Sequence, residues 1–197
     1  AMFDSLYAKG VRIYNQSWGE TQSILNFTKE DYPLTDPLVQ FYYDKATTDS
    51  LFIWSAGNGR DDNTEVEGGL PYFYPEMEKG WITVVGMNPD TGLYDQSYSR
   101  SNKCGVAKNW CITASGAATS YTAPIITGAV ALVQQKYKWM NGDLLRQTIL
   151  STAFDAGEEG VDEVYGWGLV NIDKAVKGPA LFDTRLALGS HVKVNFD

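Results

Sequence analysis

The stretch "AATSYTAPIITGAVALV" (117–133) opens on a threonine–serine pair and continues as an apolar run interrupted by one proline. A helix beginning at 119 places Ser120 among backbone N–H groups that have no partner within the helix, at the positive end of the helix dipole. Both features favour the oxyanion that forms when an acyl carbon becomes tetrahedral, so Ser120 is a candidate nucleophile. The plainer role is a helix cap, worth about 1 kcal/mol. Asn58, on a glycine-bounded loop after a buried apolar run in "SLFIWSAGNG" (50–59), can aim a side-chain amide at the same oxygen. Its plainer role is a turn residue.

A serine hydroxyl needs a base, and the base needs an orienting carboxylate. The sequence holds one histidine, His191, which follows the serine and reads as a tail residue. An α/β-hydrolase would use the order Ser, Asp, His, but it requires a Gly-x-Ser-x-Gly elbow, and "IWSAG" (53–57) lacks the first glycine. The acidic "GRDDNTEVEGG" (59–69) offers Asp61, Asp62 and Glu65 to calcium; a solvated charged loop is the expectation adopted. "NFT" (26–28) matches a glycosylation sequon and is given little weight.

Cys104 and Cys111 enclose "GVAKNW". Structural zinc wants four ligands, which two cysteines and a distant histidine do not supply, so no metal is expected. The pair is either free and buried or a short-loop disulfide; the disulfide would imply an oxidising compartment. The formal charge of −8 argues against binding a phosphate backbone. No apolar stretch reaches the ~20 residues of a membrane helix, and the start lacks a signal-peptide pattern. "AM" at positions 1 and 2 reads as a cloning scar before an initiator methionine.

Strands and helices alternate along the 197 residues, of which 44% are hydrophobic, enough for one domain with a large core. "GVRIYNQSW" (10–18), "SLFIWSAGNG" (50–59), "GWITVVGM" (80–87) and "NWCITASG" (109–116) read as strands, the middle two buried on both faces. "DPLVQFYYDKATT" (36–48) predicts a helix capped by Asp36, with Leu38, Phe41 and Tyr42 on its core face. The helix from 119 is apolar nearly all round, so it is expected to be central and buried, with Pro124 forfeiting little in the first turns. A further helix over 140–155 directs Leu144, Ile149 and Ala153 inward. A short last helix lies within 165–176, and the tail reads as strand-like. The fold class expected is α/β, with a mostly parallel sheet.

"NQSWG" (15–19), "SAGN" (55–58), "PYFYPEMEKGWITVVG" (71–86) and "TSYTAP" (119–124), in that order, resemble the subtilisin-like serine proteases. "KYKWMNGDLLRQTIL" (136–150), "YGWGLVNIDKAVKGPALF" (165–182) and the cysteine-bounded segment resemble more narrowly the protease passengers of Gram-negative autotransporters. The resemblance implies a three-layer α/β fold with a buried central helix. It makes Ser120 the nucleophile and Asn58 the oxyanion donor. It has Ser17, Trp18 and Gly19 pair with the substrate backbone, while Ser55, Ala56 and Gly57 form a wall of the specificity pocket. It implies a peptide or protein substrate, no cofactor, and a secreted or cell-surface location.

The family's catalytic Asp and His motifs precede the oxyanion strand, yet only nine residues precede residue 10 here. Residues 1–178 therefore correspond to the C-terminal two-thirds of a peptidase domain, with 179–197 leading out of it. The family's glycine before Thr-Ser is Ala118, and the loop at 114–118 is short. The expectation is that this chain alone is inactive and self-associates through an uncovered face. A non-catalytic peptide-binding or scaffold module is the alternative.

Overall fold

Four apolar stretches become four neighbouring parallel strands. The computed structural model describes residues 2–178, 182–185 and 191–194. Helix α1 (Met2–Ala8) leads into β1 (Ile13–Gln16), α2 (Pro37–Ala46), β2 (Leu51–Ser55), the single turn α3 (Val66–Gly69), β3 (Trp81–Met87) and β4 (Cys111–Ser115). Three helices follow, α4 (Thr119–Lys136), α5 (Gly142–Ser151) and α6 (Ile172–Lys177), and then an antiparallel pair, β5 (Phe182–Arg185) with β6 (His191–Val194). The main sheet has the order β1-β2-β3-β4, parallel throughout, with Ile13 opposite Leu51, Phe52 opposite Trp81 and Thr83 opposite Cys111. The side chain of His191 and residues 179–181, 186–190 and 195–197 lie outside what is described.

Because strand side chains alternate between faces, β2 and β3 are buried on both sides, with every residue of each solvent-inaccessible or nearly so. One face is aromatic: Tyr14, Phe52, Trp54 and Trp81 meet Phe41 and Tyr42 of α2 edge-on, while Trp54 and Trp81 stack with ring centroids 5.5 Å apart. The other is aliphatic: Leu51, Ile53, Ile82, Val84 and Ile112 meet Ala123, Ile126, Val130 and Val133 of α4. Helices on both faces of a parallel sheet give the three-layer α/β arrangement expected from alternating elements.

Asp36 caps α2 by accepting from the N–H groups of Leu38 and Val39, as expected. Leu38 does not turn inward; it is 39% exposed, and Val39 buries instead beside Phe41, Tyr42 and Ala46. Position 38 stands in the first turn, at the very start of the helix. In α5 the buried positions centre on Leu145, Ile149 and Leu150, with Leu144 and Ala153 half-buried at the margin.

Helix α4 touches all four strands of the main sheet and both later helices. Its sheet-facing side is fully buried, while Tyr121 (71%), Ile125 (39%) and Leu132 (47%) on the opposite side are exposed. All-round apolarity is thus matched by burial on one side only, among the described residues. Cys104 and Cys111 are joined as a disulfide across the short helical turn that precedes β4.

Candidate active site

The site lies at the C-terminal ends of the parallel strands, where a crossover sheet leaves a crevice. Chain leaving β1 carries Ser17, Trp18 and Gly19; chain leaving β2 carries Ala56, Gly57 and Asn58; chain leaving β4 turns into α4 at Thr119 and Ser120. Regular pairing of β1 stops at Gln16, so Ser17–Gly19 run on beyond the sheet instead of belonging to its edge strand. A cavity of about 420 Å³ is bordered by these segments, with Ser17, Ser55, Asn58, Glu65, Arg100 and Ser120 among its lining.

Three residues, 116–118, suffice to carry the chain from β4 into α4. The Gly116 N–H bonds the Met87 carbonyl, and the Ala117 carbonyl accepts from the Arg100 N–H, which pins the short connection. Ala118 is extended, at φ −144°, a conformation open to any residue, so its methyl carries no backbone strain.

Asn58 is the tie between the β2 loop and the helix. Its Oδ1 accepts from the Thr119 N–H at 2.9 Å and from the Thr119 hydroxyl at 3.2 Å. With the carbonyl end so engaged, the amide NH₂ is left as the donor end of the side chain. The Ser120 N–H has no acceptor among the described residues, as first-turn donors of a helix lack internal partners. Asn58 and Ser120, which carry these two donors, both line the cavity.

Pro124 explains a second tie. It stands inside α4 and lacks the N–H that would bond the Ser120 carbonyl four residues back. That carbonyl instead accepts from the Ser17 hydroxyl at 3.3 Å, while the Ser120 hydroxyl donates to the Ser17 carbonyl at 3.4 Å. Trp18 is anchored by its indole N–H to Gln16 and packs edge-on against Trp54, yet stays half-exposed at the cavity rim. Gly57 has φ +103°, a conformation that favours glycine, and an added Cβ would collide with the Glu65 side chain.

The acidic loop does not behave as one solvated unit. Asp62 pairs with Lys103 at 2.6 Å, whereas Glu65 turns inward, is 9% exposed and lines the cavity. Asp61, Asp62 and Glu65 do not converge, and no cluster of three metal-ligating side chains occurs among the described residues. Burial pushes the Glu65 carboxyl up to about 7; nearby Glu67 and Asp61 add to this, and a hydrogen bond from the Asn58 backbone opposes it. Glu67, whose carboxylate accepts from the Glu20 N–H, is raised by the same cause.

Of the residues named from the sequence, Ser120, Asn58, Ser17, Trp18, Gly19 and Ser55 line one cavity; Ala56 and Gly57 are buried and do not line it. Sequence reasoning missed Glu65 as a cavity group, Thr119 as the Asn58 anchor and Arg100 at the rim. Nothing in a charged, glycine-bounded loop signals that one of its carboxylates is buried.

Among solved structures, a prenylagaramide maturation protease superposes with a TM-score of 0.65 at 19% identity, covering 88% of this chain and 64% of that one. A patellamide maturation protease gives 0.63 at 21%, covering 88% and 65%. Serotype-specific antigen 1 of Mannheimia haemolytica is 34% identical over 169 residues, 75% of this chain and 18% of that protein. The autotransporter lipoprotein NalP of Neisseria meningitidis is 33% identical over 88% of this chain, and an extracellular serine protease of Serratia marcescens 27% over 68%. The chain thus spans about a fifth of the curated relatives it matches, 18% and 21% for the first two. The family description "Subtilase family" matches residues 1–168, the span that holds the whole main sheet, α4 and every residue lining the cavity, and the chain belongs to that family.

Proposed function

We propose that residues 1–178 are the C-terminal two-thirds of a subtilisin-like serine endopeptidase domain, with 179–197 leading out of it. Ser120 is the nucleophile, and the Asn58 amide with the Ser120 N–H holds the oxyanion. Peptide lies along Ser17–Gly19, with Ser55, Ala56 and Gly57 walling the pocket for the side chain beside the scissile bond. The observation that carries this reading is the bond from the Thr119 N–H to Asn58 Oδ1, which holds the candidate donor against the turn that bears Ser120.

The hydroxyl of Ser120 has no base beside it among the described residues: its hydrogen bond goes to the Ser17 carbonyl, which cannot take a proton. In subtilisin itself, from which the magnitude is carried over, removal of one triad member costs about 10⁴–10⁶ in turnover. This chain alone is therefore proposed to be inactive until a histidine and an aspartate are supplied. The relatives' descriptions as autotransporter and extracellular proteins support a secreted or cell-surface setting on a Gram-negative bacterium. The missing base is also what favours the second reading, a non-catalytic peptide-binding module that uses the same cleft.

The test has two arms. A fluorophosphonate probe and a casein digest, run on the chain and on Ser120→Ala, should show no serine-dependent labelling or cleavage at ordinary protease rates. Such cleavage would overturn the inactivity. Titration with short peptides should show binding that Asn58→Ala weakens for peptides with a free C-terminal carboxylate, the product form; absence of binding would overturn the cleft itself.

A further inference from the structure

Resting on the reading of this cleft as the peptide site, we propose that Glu65 makes it selective for a lysine or arginine side chain at the residue whose carbonyl is attacked. The carboxylate stands between the two backbone segments that border the cavity. A Cβ built on Gly57 would overlap it, and one built on Gly19 would lie 3.2 Å from its Oε2. Both flanking positions are glycine, so the backbone comes close on either side and leaves the carboxylate facing the cavity it lines.

Glu65 is nine-tenths buried, and its carboxylate has no cation paired with it among the described residues. Arg100, the basic residue of the lining, is exposed at the rim and forms no ion pair among the described residues. Around Glu65 the charges are of its own sign, Glu67 and Asp61, and one backbone N–H is its hydrogen-bond donor. A desolvated carboxylate without a counter-charge is costly, and an incoming ammonium or guanidinium offsets that cost. An apolar side chain would seal the carboxylate from water and give nothing back, so the same residue selects against it. The half-exposed Trp18, which also lines the cavity, offers apolar surface to the stem of a lysine or arginine.

The experiment needs no turnover. Short peptides identical except for a C-terminal lysine, arginine, norleucine or leucine are titrated into the full chain, by calorimetry. Norleucine keeps the lysine stem without its charge. We expect the lysine and arginine peptides to bind at least about tenfold more tightly than the norleucine one. In Glu65→Gln, verified as folded by circular dichroism, that ratio should fall to near unity. Equal binding of lysine and norleucine peptides to the unaltered chain overturns the inference and leaves the cleft reading intact. A preference that survives in Glu65→Gln overturns the assignment to Glu65. Failure of every peptide to bind overturns the cleft reading, and this inference with it.

Discussion

Replacing Glu65 by glutamine should stabilise the fold, and increasingly so as pH rises. The carboxyl is displaced upward, from 4.5 to about 7, chiefly by burial. A folded-state acid held above its unfolded value binds more protons folded than unfolded, so stability falls as pH rises from about 4.5 to about 7 and is level beyond. Each tenfold change in proton affinity is worth about 1.4 kcal/mol, so the carboxylate costs up to about 3 kcal/mol above pH 7. Water in the open cleft screens part of this, and about 1–2 kcal/mol is the expected gain for Glu65→Gln at about pH 8. Near pH 4 the neutral carboxylic acid and the amide are close in shape and polarity, and the gain should vanish. Repulsion from Glu67 and Asp61 disappears with the Glu65 charge and forms part of that gain. Urea unfolding of the two proteins at several pH values reads it directly. A difference that stays constant across this window would refute the desolvation of the Glu65 carboxylate.

Arg146 is buried in α5, bonding the Trp81 and Asn109 carbonyls and pairing with Glu78 at 2.6 Å. Arg146→Ala should cost about 2–3 kcal/mol, below the 3–5 of a fully buried pair because Glu78 reaches solvent, as chemical denaturation would show. Replacing Cys104 and Cys111 together by alanine opens a loop of sequence separation 7. Chain entropy puts that loss at about 2 kcal/mol, measurable as a lowered denaturant midpoint. The exposed α4 stripe of Tyr121, Ile125 and Leu132 should drive self-association, and Leu132→Glu with Ile125→Glu should return the chain to monomer in sedimentation velocity. A monomeric unaltered chain at high concentration would remove that expectation.

Elements were legible where their pattern had one solution. β2 and β3 are unbroken apolar runs between glycines and polar turns, and such runs fit strands covered on both faces. Asp36-Pro37 marks a helix start because the Asp36 side chain satisfies N–H groups that every helix leaves open. Leu38 departs from its expected place since helical spacing alone does not say which of Leu38 and Val39 the fold buries. The outer face of α4 departs for a related reason: apolar composition shows that a surface needs covering, and says nothing of whether the chain at hand covers it.

What the sequence by itself determined is the order of the main strands and helices and the sheet's buried character; it also offered Ser120 and Asn58, which both line one cavity, as candidates for acyl chemistry. These are local matters: propensity, capping, glycine-bounded turns and a hydroxyl at a helix mouth. Only the tertiary structure decided that Asn58 is held by Thr119, that the carbonyl freed by Pro124 is taken by Ser17, and that Glu65 lies buried between Gly19 and Gly57. Each of these joins residues distant in the chain or depends on desolvation. Burial and charge at a carboxylate are set by whatever the fold packs around it, and a loop sequence does not contain that information.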